Sequence, residues 1–167
     1  MNRLIITFFN LLRLRSGPQY LPASWPLTLI LISAYLIQNL LTGVQLDDDN
    51  AAAKSLTAMS LQVIVLLGLL GWRGHLERFT QTLSAFAGVG IVFNLVTWAL
   101  LSQLNTEQNQ PIMALLWFSV FFWSLFVDAN IYRHALSLSL SVGVLITVLL
   151  LAASYAMIEL LFLVPTT

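Results

Sequence analysis

Glu159, Asn94 and Gln38 are polar side chains set inside long apolar runs. A charge at the centre of a membrane helix costs about 2.5–3.5 kcal/mol on insertion scales, so each such group needs a reason. Glu159 falls near the end of the last apolar run, on a stripe with Ser141, Val148, Ala152 and Ala156 at helical spacing. Small residues on that stripe suit contact with a neighbouring helix, which would turn the carboxylate inward as a proton or cation site. The plainer reading, favoured by its shallow position, is a carboxylate hydrated at the far membrane surface. Asn94 shares a helical face with Ala87, Gly90 and Thr97, and Gln38 shares one with Ala34 and Thr42. The two amides are expected to meet in an interhelical hydrogen bond contributing about 0.6–2 kcal/mol. Packing, rather than substrate binding, is its expected use.

A second group lies in two short polar tracts: Arg73, His75, Glu77 and Arg78 in one, Asp128, Arg133 and His134 in the other. Both tracts are expected at the same membrane edge. Two histidines and two carboxylates there could hold a divalent metal, but His75-x-Glu77 matches no closely paired ligand spacing. Headgroup contacts and helix caps are the expected roles, so no metal site is assigned. No nucleophile–base pair or phosphate loop is present, and Gly88-Val-Gly90 lies inside an apolar helix as a packing feature. The aromatic residues Trp117, Phe118, Phe121, Phe122, Trp123 and Phe126 point to several faces of a helix and suit lipid contact. Ser137, Ser139 and Ser141 are read as span residues that bond to their own preceding carbonyls. Cysteine is absent, which removes thiolate ligands, thiol nucleophiles and disulfides. No catalytic residue or cofactor site is assigned, and the chain is not read as an enzyme.

The elements that must position these groups follow from composition. Of 167 residues, 59% are apolar and 8% charged, where a soluble domain carries about 25% charged residues. Lipid is therefore the expected solvent. Net charge is zero without a basic tract, which leaves no electrostatic footprint for nucleic acid. The sequence predicts an all-α, polytopic membrane protein forming a single domain: an interfacial amphipathic helix over 2–15, then spans at about 24–44, 55–72, 80–104, 111–129 and 134–163. A signal peptide is the rival for residues 2–15; Arg13 and Arg15 end that run, and no small-residue cleavage site follows. Gly17-Pro18 is expected to stop the first helix, Ser24 to cap the first span, and residues 128–134 to break the last two spans apart. Arg3, Arg13, Arg15, Arg73, Arg78 and Arg133 fall on one side and Lys54 on the other. The positive-inside rule then predicts a cytoplasmic N-terminus and an external C-terminus.

The tract Trp123-Ser-Leu-Phe-Val-Asp-Ala-Asn-Ile-Tyr-Arg-His-Ala-Leu-Ser-Leu-Ser139, with the serine at 141, resembles the junction of the last two spans in bacterial members of the Ypt-interacting-protein (Yip) family of small membrane proteins. In those sequences a tryptophan-led span passes through an Arg-His-Ala-Leu-like break into a final long helix. The resemblance implies five spans, a bacterial inner membrane with the C-terminus in the periplasm, and an accessory role without an active site. The Asp-Leu-Tyr-Gly-Pro tract of eukaryotic members has no equivalent here; Ser16-Gly-Pro-Gln-Tyr20 differs from it. The expected function is that of a non-enzymatic partner, scaffold or assembly subunit in the bilayer, contacting other membrane proteins or itself. The alternative is a small oligomeric transporter or channel that uses the intramembrane polar residues; discontinuous helices or repeated halves, which would favour it, are not visible.

Overall fold

The computed structural model describes residues 2–46, 48–103 and 111–162. Among them every regular element is helical: α1 (Asn2–Leu12), α2 (Trp25–Gln45), α3 (Ala51–Arg73), α4 (Phe79–Leu101), α5 (Pro111–Leu136) and α6 (Leu140–Phe162). Single 3-10 turns at Pro18–Tyr20 and Leu76–Arg78 lead into α2 and α4. Five helices, α2 to α6, are long and apolar enough to cross a membrane. At 1.5 Å per residue each covers the roughly 30 Å of hydrocarbon, and the apolar residues lie on all sides, as lipid requires. The chain is a multi-pass helical membrane protein.

The helices pack unevenly. In α4, 39% of the most apolar stretch is buried, against 6% in α6, which makes α4 the central helix. Its buried residues run from Thr82 to Val89, in its first half. Those of α5 run from Val127 to Leu136, in its last turns, and α3 adds Leu66 and Leu70 near its own end. The core therefore sits at the end of the bundle that carries the arginines, and toward the opposite end the helices leave most of their surface to their surroundings. α1 completes the packed end. Its Leu11 is fully buried and the Phe8 ring lies against Gly88, while Ile5, Ile6 and Phe9 stay exposed.

Several boundaries differ from the sequence-based expectation. α5 runs through Asp128–His134 without a break and ends at Leu136. Nothing in that tract is a helix breaker; a polar stretch can be the end of a helix as easily as a loop. The turn lies at Ser137–Ser139, where Ser137 takes φ 54° and the Leu138 N–H reaches the Arg133 carbonyl at 2.9 Å. These two serines are thus corner residues and not span residues. α1 likewise stops at Leu12, before Gly17-Pro18, because Leu14 turns left-handed (φ 59°) and the Arg15 N–H bonds to the Asn10 carbonyl at 2.8 Å. Gly74 closes α3 in the same manner at φ 70°. Such left-handed closures satisfy terminal carbonyls with the backbone itself. Ser24 does occupy the N-cap position of α2, but its side chain makes no capping bond. The expected ends of spans at Leu104 and Leu163, and the 105–110 loop, lie outside the described residues, as does Asp47.

The α5–α6 hairpin depends on Gly143, where an added Cβ would meet the Ala129 carbonyl oxygen. Backbone cannot move aside as a side-chain end can. Gly68, in α3, faces open space. Gly143→Ala should therefore lower the unfolding midpoint of the purified protein in detergent, at a cost of about 1–3 kcal/mol. Gly68→Ala should hold or raise it, since mid-helix glycine costs roughly 0.5–1 kcal/mol relative to alanine. Thermal melts of the two variants side by side check the pair.

Candidate functional site

The arginine-rich end is built by mutual capping. The last carbonyls of a helix have no partner within it, and those of α5 are met by side chains from the α3–α4 corner. Arg78 Nη1 donates to the carbonyls of His134 (3.3 Å) and Ala135 (3.2 Å) and to Ser137 Oγ (3.1 Å). Arg73 Nε donates to the Leu136 carbonyl at 3.3 Å. Cationic groups at a helix C-terminus are also favoured by its dipole. The two polar tracts therefore do come together, as caps. His75 Nδ1 lies 3.5 Å from Glu77 Oε1, and Arg78 Nε lies 3.7 Å from the same oxygen. Glu77 is 65% exposed, so these pairs contribute little. Among the described residues no three His, Asp or Glu side chains converge into a metal-sized group. Arg133 is exposed and meets no protein acceptor among the described residues.

Residues to which the sequence reading gave no such bond tie the connectors to this end. Asn130 is buried and donates from Nδ2 to the Ser16 carbonyl at 3.1 Å. Gln81 Nε2 donates to the Leu21 carbonyl at 2.7 Å and the Gln19 carbonyl at 3.3 Å. Thr28 and Ser84 share a buried hydroxyl–hydroxyl bond of 2.8 Å between α2 and α4. Trp123 Nε1 donates to the Leu12 carbonyl at 3.1 Å, closing the end of α1. Asn130 lies in the polar tract 128–134, where polarity alone reads as a loop and hides the inward bond.

Asp128 departs from the edge group. It lies about 12 Å from the end of α5 along the axis, at 1.5 Å per residue. Together with Tyr35, Gln62, Phe86 and Gly90 it lines a cavity of about 80 Å³ between α2, α3, α4 and α5, room for a few water molecules. No ion pair reaches its carboxylate among the described residues. The Tyr132 hydroxyl, also buried, has no hydrogen-bond partner among the described residues. A carboxylate without an ion pair beside a small cavity is a place where a proton or a desolvated cation can be held.

The expected Gln38–Asn94 bond is absent. Gln38 Oε1 and Nε2 and Asn94 Nδ2 are buried without partners among the described residues. The reason is steric: the Tyr35 ring, not Gln38, fills the space over Gly90 on the face that was to receive it. Glu159 is also placed differently. Val148, Ala152 and Ala156 on its stripe are exposed, so that face does not turn inward against the chain's own helices. Gly143 and Thr147 form the packed side of α6 instead. The Tyr155 hydroxyl donates to Glu159 Oε1 at 2.6 Å, one turn away. At the opposite end of the bundle from the arginines, Lys54 Nζ bonds both oxygens of Asp48 (2.9 and 2.8 Å). That bond holds the Asp48 carboxyl below the usual carboxylate range.

No protein-family model, curated protein or solved structure matches the chain.

Removing the Arg78 cap tests this construction. Arg78→Gln should destabilise the protein by about 1.5–3 kcal/mol, the size of bonds made by a charged donor. Arg78→Lys should recover only part of that, since a single ammonium cannot reproduce the planar fork. Arg133→Gln, which breaks no internal bond, should change stability by less than about 0.5 kcal/mol. Chemical unfolding in detergent reads all three.

Proposed function

We propose that this chain is a non-enzymatic membrane protein, an accessory or assembly subunit that works by packing against another membrane protein or a second copy of itself. The outward face of α6 carries the reading. Val148, Ala152 and Ala156 are exposed there, and the Tyr155–Glu159 pair continues the same side. Small residues let a second helix approach closely, and polar side chains bond across such contacts. A carboxylate facing acyl chains is costly, whereas one facing a partner helix can be satisfied. The loosely packed end of the bundle leaves space beside α6 for that helix. The resemblance of residues 123–141 to bacterial Yip-family proteins supports an accessory role, and with it a bacterial inner membrane. Arginines on one side against Lys54 on the other support a cytoplasmic N-terminus and a periplasmic C-terminus.

A second reading, a small transporter or channel, draws on one specific observation: Asp128 lines an internal cavity with Tyr35 and Gln62. It competes directly with the first and uses a different part of the molecule.

The chain has no cysteine, so single cysteines can be introduced without background. Ala152→Cys and Ala156→Cys should give a discrete cross-linked adduct in native membranes under mild oxidation or with a thiol cross-linker. Ile30→Cys, on the exposed side of α2, should give none. Absence of any α6 adduct, together with proton or solute flux in liposomes that disappears in Asp128→Asn, would replace the association reading with the transport one.

A further inference from the structure

The mutual capping at the arginine-rich end leaves a pocket that the caps do not use. Gln19, Arg78, Arg133, His134, Ser137 and Leu138 enclose about 300 Å³ between the 3-10 turn and the α5–α6 corner. We propose that this pocket binds the phosphate of an anionic phospholipid, with the headgroup seated between Arg133 and Arg78. The site goes beyond the association reading and does not depend on it.

Four observations converge. Arg78 is held in place by three acceptors on one nitrogen, Nη1, so its guanidinium is fixed in the wall before any ligand arrives. Arg133 supplies an exposed guanidinium with no protein acceptor among the described residues. A cation without a counter-ion beside a second, immobilised cation repels it, and an anion between the two removes that repulsion. Glu77 is the carboxylate near Arg78, 3.7 Å from Nε; it is exposed, also contacts His75 and does not line the pocket. The pocket is therefore short of negative charge. Its floor is made by close approach: Gly17 packs where a Cβ would meet His134 Cβ, which draws the Gln19 turn against the end of α5.

The position suits a lipid better than a soluble anion. The pocket opens at the ends of membrane-spanning helices, the level at which phosphates lie. Tyr20 on the connector beside it and Trp25 at the start of α2 are exposed, at 68% and 56%, as amphipathic rings are at headgroup level. Leu138 in the wall and exposed Leu140 just beyond it offer apolar surface toward the acyl chains. A phosphate diester between two guanidiniums can take charge-assisted bonds from both, and basic pockets between helices are a general means of holding anionic headgroups.

Native mass spectrometry of the whole protein in a non-ionic detergent, titrated with phosphatidylglycerol or phosphatidylcholine, tests the assignment. The wild-type chain should retain phosphatidylglycerol in preference to phosphatidylcholine. Arg133→Gln should weaken retention of phosphatidylglycerol about fivefold, the effect of one basic residue at a membrane surface, with its melting midpoint unchanged. Lys54→Gln removes one positive charge at the opposite end and should leave retention as it was. Equal retention of the two lipids, or an unchanged affinity in a folded Arg133→Gln protein, would overturn the proposal. Displacement of phosphatidylglycerol by inorganic phosphate at comparable concentration would also overturn it, and would assign the pocket to a soluble phosphate.

Discussion

The carbonyl groups at the end of α5 set the terms for the rest of this molecule. A helix that stops at a membrane edge exposes acceptors that neither hydrocarbon nor its own backbone can satisfy. Here Arg78 and Arg73 reach across from the α3–α4 corner to meet them, and Ser137 turns left-handed so that the Leu138 N–H can meet another. Because the donors lie 56 to 63 residues away in sequence, satisfying α5 also fixes where α3 must end and α4 begin. The connectors obey the same constraint. Asn130 takes the Ser16 carbonyl, Gln81 the Leu21 carbonyl and Trp123 the Leu12 carbonyl. One end of the bundle is thus locked by polar bonds from side chain to backbone.

That locking explains the uneven packing. Apolar association between helices gains little in lipid, where the alternative surroundings are equally apolar; close packing and hydrogen bonds must supply the specificity. Both are concentrated where the arginines are, with Gly143 on the Ala129 carbonyl, Phe8 on Gly88 and the Thr28–Ser84 bond between α2 and α4. Beyond Thr147 on α6 and Val89 on α4 such devices are fewer among the described residues, with Tyr35 over Gly90 and Gly43 against Ala51, and more of the helix faces turn outward. A protein organised in this way has one rigid end and one end with surface to share.

Five apolar helices were legible in the sequence because hydropathy and length are one-dimensional properties, and lipid imposes them on each helix separately. The basic caps were half legible. Arg73, Arg78, Arg133 and His134 stand out as charges at an edge, but which carbonyl each reaches depends on how the corners meet. The continuity of α5 was misread, since Asp128 and Asn130 look like a loop when only polarity is counted. In three dimensions each has an inward role, Asp128 facing a cavity and Asn130 bonding the first connector. The Gln38–Asn94 pairing failed for a related reason. Helical faces can be drawn from spacing, but not which of two neighbours, Tyr35 or Gln38, will occupy the groove over Gly90.

Asp128 carries the remaining tension in the structure. The chain satisfies exposed carbonyls at its basic end with care, yet among the described residues the Tyr132 hydroxyl and the Gln38 amide are buried without partners, and the Asp128 carboxylate lines a cavity without an ion pair. Apolar replacements at these positions would remove a cost that nothing in the fold offsets, because an unpaired polar group in a dry interior is destabilising by about 1–3 kcal/mol. The cavity lined by Tyr35, Gln62 and Asp128 has room for water that would bond to those three side chains. A partner helix docking on α6 would press on α5 through Gly143 and Ala129, and α5 bears Asp128. The α6 face proposed for association and the internal carboxylate therefore lie on adjacent helices, packed together where Gly143 meets the Ala129 carbonyl.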